Sequence, residues 1–209
     1  MATIRSWPRT LWVSVRTLLI FTLALGVLYP AAILGVGRLA FPAQANGSLL
    51  EAPAHAAPNS AAGPVGSGLI GQTLNDASGN PDPAFFQPRP SAAGDGYDGT
   101  ASSGSNLGPE NPKLLEAIAE RKAAYLAENP GTTVVPADAL TTSASGLDPD
   151  ISVANALDQA ARVAKARSLD LAKVVALVKE QTTGRDLGFL GEPRVNVLKL
   201  NIALVGLEN

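Results

Sequence analysis

The residue types that carry most enzyme chemistry are sparse in this chain. It has 209 residues, no cysteine and one histidine, His55. Disulfides and thiolate metal sites are therefore excluded, and any Ser-His-Asp triad or histidine metal site has to use that single imidazole. His55 lies in an Ala/Pro-rich stretch that reads as a solvated linker. Gly94-Asp95-Gly96-Tyr97-Asp98-Gly99 has the glycine density of a phosphate loop but lacks the GxxxxGK[ST] spacing and any lysine. Its glycines read as tight turns. Asp95 and Asp98 supply fewer acidic oxygens than a calcium loop needs, so they read as turn acids at the surface. Ser102, Ser103 and Ser105 have no adjacent base to activate a hydroxyl. The run Arg162-Val163-Ala164-Lys165-Ala166-Arg167 is expected to be a charged helix face, either solvated or salt-bridged to a partner or to nearby acidic loops. The residues assemble no catalytic constellation, metal site or cofactor site.

The elements that position these residues begin with a membrane segment. Thr17 to Gly37 carries no charge and is long enough to cross the roughly 30 Å hydrocarbon core. Arg5, Arg9 and Arg16 precede it and only Arg38 follows closely, which puts the N-terminus in the cytoplasm and the rest outside. Trp7, Trp12 and Tyr29 are candidate interfacial anchors or helix-packing residues. Ala43-Gln44-Ala45 resembles a signal-peptidase site, but the apolar run exceeds the usual h-region, so an uncleaved anchor is expected. Pro30 frees a carbonyl late in the span, a cost that packing against neighbouring helices relieves. Gly26, Gly35 and Gly37 suit the same close approach.

Outside the membrane, the chain reads as one domain of mixed structure. Ser48–Leu50 and Leu69–Ile70 are expected to pair as a hairpin around an Ala/Pro-rich insert, Ala52–Pro64. Asn75 to Gly108 is rich in Gly, Ser, Asp and Pro without a period, and Phe85, Phe86 and Tyr97 favour an ordered, docked loop there. A helix is predicted from Asn111 (cap) and Pro112 to Asn129, with Leu114, Leu115, Ile118, Tyr125 and Leu126 on its apolar face. A second starts after Ser152, with Val153, Leu157, Ala160, Ala161 and Ala164 facing inward. A third follows Ser168 or Asp170, with Leu171, Val174, Val175 and Val178 inward. Segment 193–206 fits strand or helix, Pro193 favouring helix slightly. The expected fold is a single N-terminal transmembrane helix followed by an α+β extracytoplasmic domain. That domain has long Gly/Ser/Pro-rich loops and a helix-rich C-terminal half. Its parts are a cytoplasmic N-terminus (1–16), the transmembrane helix (17–38) and the extracytoplasmic domain (39–209). Net charge is −2 with no basic block, which argues against a nucleic-acid partner, whereas membrane lipid is an expected one.

Several segments together resemble the KdpC family of potassium-transporting ATPase subunits. They are Phe41-Pro42-Ala43-Gln44-Ala45-Asn46-Gly47-Ser48-Leu49, Gly66-Ser67-Gly68-Leu69-Ile70-Gly71-Gln72, and Phe86-Gln87-Pro88-Arg89-Pro90-Ser91-Ala92. The run from Tyr97 to Pro109, YDGTASSGSNLGP, is the most diagnostic. Val135-Pro136-Ala137-Asp138, Ser145-Gly146-Leu147-Asp148-Pro149, Arg162-Val163-Ala164 and the run from Gly188 to Leu198 complete the set. Glu110, Asp150, Leu157 and Ala160 depart from the pattern, as does the length of the 52–64 insert. The aspartyl-phosphate signature DKTGT is absent, so this chain is not the phosphorylated engine of a pump.

The resemblance implies a non-catalytic accessory subunit of a high-affinity, ATP-driven potassium import complex in the bacterial inner membrane. It implies a channel-like potassium-binding subunit, a P-type ATPase subunit and a small one-helix subunit as partners. ATP and Mg are then used by the complex and not bound by this chain, although the family is described as raising the ATP affinity of the ATPase subunit. Gln44, Asn46, Arg89, Tyr97, Asn106 and Arg194 are the candidates for subunit contact or loop bracing. The alternative is a membrane-anchored or secreted binding domain acting alone.

Overall fold

The computed structural model describes residues 7–51 and 63–207, in two compact units that divide between Ser48 and Leu49. Arg5, His55 and most of the Ala/Pro-rich insert lie outside the described residues.

The first unit is dominated by one apolar helical run, Trp7–Ala40, of 34 residues and mean hydropathy 2.2. It comprises α1 (Trp7–Leu23), a π-helical turn (Ala24–Leu28) and α2 (Tyr29–Ala40). The helix starts well ahead of Thr17, because Pro8 is tolerated in a first turn and nothing between it and Thr17 breaks the ladder. Pro30 explains the π turn. It has no N–H for the carbonyl of Gly26, and its ring would press on that carbonyl in a regular helix. The wider turn just ahead of it, closed by the Tyr29 N–H donating to the Ala24 carbonyl, takes up the mismatch. No residue of α1 or α2 is buried, and Trp7, Trp12 and Tyr29 are all exposed. A short α3 (Pro42–Ala45) follows, capped by Asn46, whose Nδ2 donates to the Pro42 carbonyl at 2.7 Å.

The second unit opens with a hairpin of β1 (Leu49–Glu51) and β2 (Pro64–Ser67). The expected partner strand, Leu69–Ile70, instead forms the turn after β2. Gly66 holds the pairing position opposite Leu50, where a Cβ would run into Gln72 and Leu198. A strand reading Pro-Val-Gly-Ser carries no apolar period that marks it in the sequence.

Beyond it come α4 (Pro112–Glu128), α5 (Ala137–Leu140), β3 (Asp150–Ser152), α6 (Val153–Ala166), α7 (Leu171–Glu180), β4 (Thr182–Thr183), β5 (Arg194–Asn196) and α8 (Val197–Gly206). The strands form an antiparallel sheet in the order β3-β5-β4. Ile151 pairs with Val195, and both are buried in the core. Their strand neighbours Asp150, Ser152, Arg194 and Asn196 alternate to the more exposed face. The last segment uses both of its periods: Arg194–Asn196 is strand, and Asn196 then caps α8 by accepting from Lys199 N at 3.1 Å.

The helix starts follow the sequence closely. Asn111, Ser152 and Asp170 each cap their helix through a side-chain oxygen. The helix faces follow it less well. In α6 the buried residues are Asn155, Ala156, Gln159, Ala160, Val163 and Ala164, while Leu157 and Ala161 point outward. In α7 they are Val174, Leu177 and Val178, with Leu171 exposed. In α4 nothing is fully buried, and Leu115 and Leu126 face solvent. Small side chains on α6 let α7 approach closely, and α8 closes the same core through Val197, Leu200 and Leu204.

Candidate functional site

Residues 68–111 contain no helix or regular strand among the named elements, yet they are tied down on both flanks. On one flank the ties are long-range. Phe86, fully buried, exchanges both backbone bonds with the Asn201 side chain of α8: its N–H donates to Oδ1 and its carbonyl accepts from Nδ2, each at 2.9 Å. Gln87 does the same with Gln159 of α6, at 2.7 and 3.0 Å. The carboxamide of an Asn or Gln thus substitutes for a neighbouring strand. Arg162 is not a solvated face. Its NH1 donates to the carbonyls of Pro83 (2.8 Å) and Phe85 (3.1 Å), and its NH2 to Gln159 Oε1 (2.8 Å). Burial lowers its pKa, with Glu128 the leading opposing influence. Arg167 likewise donates to the Ala84 carbonyl at 2.6 Å and stacks over the Phe85 ring at 4.3 Å. Carbonyl oxygens of residues 83–85 thus receive Arg162 NH1 and Arg167 Nε. An isolated arginine pattern cannot distinguish carbonyl from carboxylate partners.

The other flank zips against residues 141–148. Ser91 Oγ donates to the Gly146 carbonyl (2.6 Å) and accepts from Tyr97 N (2.9 Å); Ser102 Oγ donates to the Ser145 carbonyl (2.9 Å). Two glycines permit this approach. A Cβ at Gly71 would collide with the Tyr97 ring, and Gly146, at φ +70°, lies against Ala93 and the Ser103 carbonyl. Between the flanks, Tyr125 of α4 donates to Asn155 Oδ1 (2.9 Å), and Asn155 donates to Asp138 Oδ2 (3.0 Å). Asp138 also accepts from the Ser152 amide and hydroxyl at 2.8 Å each, which fixes the β3–α6 junction. Burial pushes the Tyr125 phenol well above its ordinary pKa. A cleft of about 370 Å³ opens here, lined in part by Gln87, Arg89, Arg121, Tyr125, Asn155 and Gln159.

The sequence-predicted site residues fall in two groups. Arg89, Tyr97 and Arg194 each bond within the second unit. Arg89 NH1 pairs with Asp148 at 2.9 Å, and its buried Nε has no partner among the described residues. Tyr97 is 8% exposed and donates to the Arg89 carbonyl at 2.7 Å, so the two are brought together. Burial, reinforced by Asp148, holds its phenol protonated far above neutrality. Arg194 Nε pairs with Asp150 at 3.1 Å, and its NH2 lies 3.9 Å from Asp186. Gln44, Asn46 and Asn106 are exposed at the surface. Asn106 takes φ +51°, a conformation Asn adopts more readily than most residues. Sequence reasoning missed Asn155, Gln159 and Asn201. Their one signal was an amide among apolar residues on a helix face, which outward-facing polar residues also produce.

The arrangement supplies order and surface, and the hydroxyls that meet carboxylates, Ser152 on Asp138 and Thr100 on Asp98, lie at a helix cap and a turn. The family model described as KdpC: K+-transporting ATPase, c chain, matches residues 11–205. A Mycobacterium tuberculosis protein named Potassium-transporting ATPase KdpC subunit is 52% identical over 198 residues, covering 94% of this chain and 97% of its own. Proteins of the same name from Kineococcus radiotolerans and Caulobacter sp. are 54% identical over 188 residues and 52% over 185. They cover 90% and 88% of this chain, and 88% and 87% of their own lengths. The match runs from the apolar helix into α8, so the chain belongs to the KdpC family and is an accessory subunit of the K+-transporting ATPase, whose catalysis other subunits carry.

Proposed function

We propose that this subunit assembles and stabilises its complex from the outer face of the bacterial inner membrane. The observation that carries the reading is the 34-residue apolar helix, which has no buried residue in α1 or α2. Its sides need lipid or the helices of other subunits, and the π turn at Pro30 is tolerated best against a protein neighbour. The arginines ahead of the span put residues 1–16 in the cytoplasm, the span at 17–38 and residues 39–209 outside. The partners are the channel-like potassium-binding subunit, the P-type ATPase subunit and the small one-helix subunit. ATP and Mg act on the ATPase subunit across the membrane. Any rise in ATP affinity caused by this chain is therefore indirect coupling through the complex.

The segment 97–108 docks on or near the external ion entrance of the channel-like subunit. Arg89, Tyr97 and Arg194 brace it and its surroundings; Asn106, Gln44 and Asn46 offer exposed polar contacts. Asn106→Gly keeps the positive φ and removes only the side chain, so it is expected to weaken recovery of the channel-like subunit. Unchanged recovery would reject the contact. The absence of cysteine makes the orientation directly testable. Val134→Cys, at a position 79% exposed, is expected to react with a membrane-impermeant maleimide added outside intact spheroplasts. Labelling only after lysis would overturn the topology.

A further inference from the structure

The apolar run opens with a cationic face. Between Met1 and Leu50 the sequence carries Arg5, Arg9, Arg16 and Arg38, and no Asp, Glu or Lys. Arg9, Trp12 and Arg16 stand at i, i+3 and i+7 of the regular helix α1, which puts them on one side of it. All three are exposed, and among the described residues neither arginine has an ion pair. The opposite face, with Leu11, Ser14 and Leu18, carries no charge. At about 1.5 Å per residue, the run Trp7–Ala40 is about 51 Å long, well beyond a hydrocarbon core of roughly 30 Å. Arg16 and Arg38 bracket about 33 Å of it. The turns from Trp7 to Arg16 therefore stand at headgroup depth and beyond.

Charge decides what meets this face. A zwitterionic lipid carries its own cation beside the phosphate and offers the two arginines no net charge. An anionic phospholipid does, and a guanidinium grips a phosphate through two parallel N–H donors. Trp12, between the arginines, supplies a ring of the kind that settles where acyl chains meet headgroups. We infer that Arg9, Trp12 and Arg16 form a site for the headgroup of an anionic phospholipid in the cytoplasmic leaflet. The inference rests on the topology proposed above and goes beyond it, because the charge rule fixes the side on which arginines lie and names no ligand.

The test uses the full chain in its complex, reconstituted in nanodiscs of equal parts phosphatidylglycerol and phosphatidylcholine. A photoreactive benzophenone amino acid replaces Val13, exposed beside Arg9 and Arg16, or Leu11 on the opposite face as a control. After irradiation, mass spectrometry counts the lipid adducts. The expected ratio of phosphatidylglycerol to phosphatidylcholine at position 13 is roughly tenfold above that at 11. Arg9→Gln with Arg16→Gln is expected to bring it down to the control. Arg9→Lys with Arg16→Lys keeps the charge and is expected to retain most of the enrichment. Equal ratios at the two positions, or an enrichment that survives the glutamine pair, would overturn the inference. So would an adduct at 13 with an acidic segment of another subunit in place of lipid. Both faces of the nanodisc present both lipids, so these outcomes do not depend on the topology. Enrichment at 13 combined with Val134→Cys labelling only after lysis would overturn the leaflet assigned here together with the topology.

Discussion

The C-terminal helices and the long irregular segment before them reach similar order by different physics. From β3 to α8, order comes from burial of small and branched apolar side chains: Ala156, Ala160 and Val163 on α6, Val174 and Val178 on α7, Leu200 and Leu204 on α8. From Gly68 to Asn111 there is one large, fully buried anchor, Phe86, and the rest is held by side chains that satisfy backbone groups. Asn201, Gln159, Arg162 and Arg167 reach from the helices to carbonyls and amides of residues 82–87, while serines and Tyr97 stitch the far side. A segment with few apolar side chains can therefore be rigid, provided that a neighbouring core supplies polar groups to its backbone.

Perturbing both regions separates the two mechanisms. Phe86→Ala is expected to have the largest effect, about 3–5 kcal/mol, because it empties a closed site. Leu200→Ala is the matching change in the helical core, at about 2–5 kcal/mol. Thermal unfolding of the detergent-solubilised full chain compares them. Asn201→Ala sharpens the contrast: it leaves the buried Phe86 N–H and carbonyl both without a partner, at about 1–3 kcal/mol each. It should cost nearly as much as a core deletion, and hydrogen exchange should quicken at residues 82–87 first. A loss below about 1 kcal/mol would mean that the braces are decoration and the comparison fails. Asp148→Asn, which weakens the partly buried pair with Arg89, is expected to cost about 1 kcal/mol.

The smallest effect concerns Asp150. Burial raises its pKa and Asp148 raises it further, with Arg194 offsetting part of this. The folded chain therefore holds this proton more tightly than the unfolded chain. The resulting contribution to stability is present below the ordinary carboxylate range and lost as pH rises through the raised value. Asp150→Asn removes that loss, so the variant should gain on the parent between acid and neutral pH. A gain in the opposite direction would show that the Arg194 pair dominates instead.

Much of this was legible in the sequence, for local reasons. Asn111 before Pro112, Ser152 and Asp170 marked helix starts because capping needs only a few neighbouring residues. The apolar run up to Gly37 marked the anchor through length alone, although its helical start at Trp7 did not show. What failed was anything decided by distant chain. Leu157 scored as inward by apolarity, yet Asn155 and Gln159 took the buried face because loop backbone was there to receive them. Arg162 reads as part of a charged face, solvated or salt-bridged, because its carbonyl partners lie about 80 residues away. The brace roles of Arg89 and Tyr97 were only half separable from docking, since the same polar types serve both.

The most direct test of the central claim is recovery of tagged full-length chain from its native membrane in mild detergent, with its partners identified by mass spectrometry. The account predicts a P-type ATPase and a multi-span channel-like protein in the same preparation, with the N-terminal segment still attached. A lone chain in the soluble fraction, cleaved near Ala43-Gln44-Ala45, would contradict it.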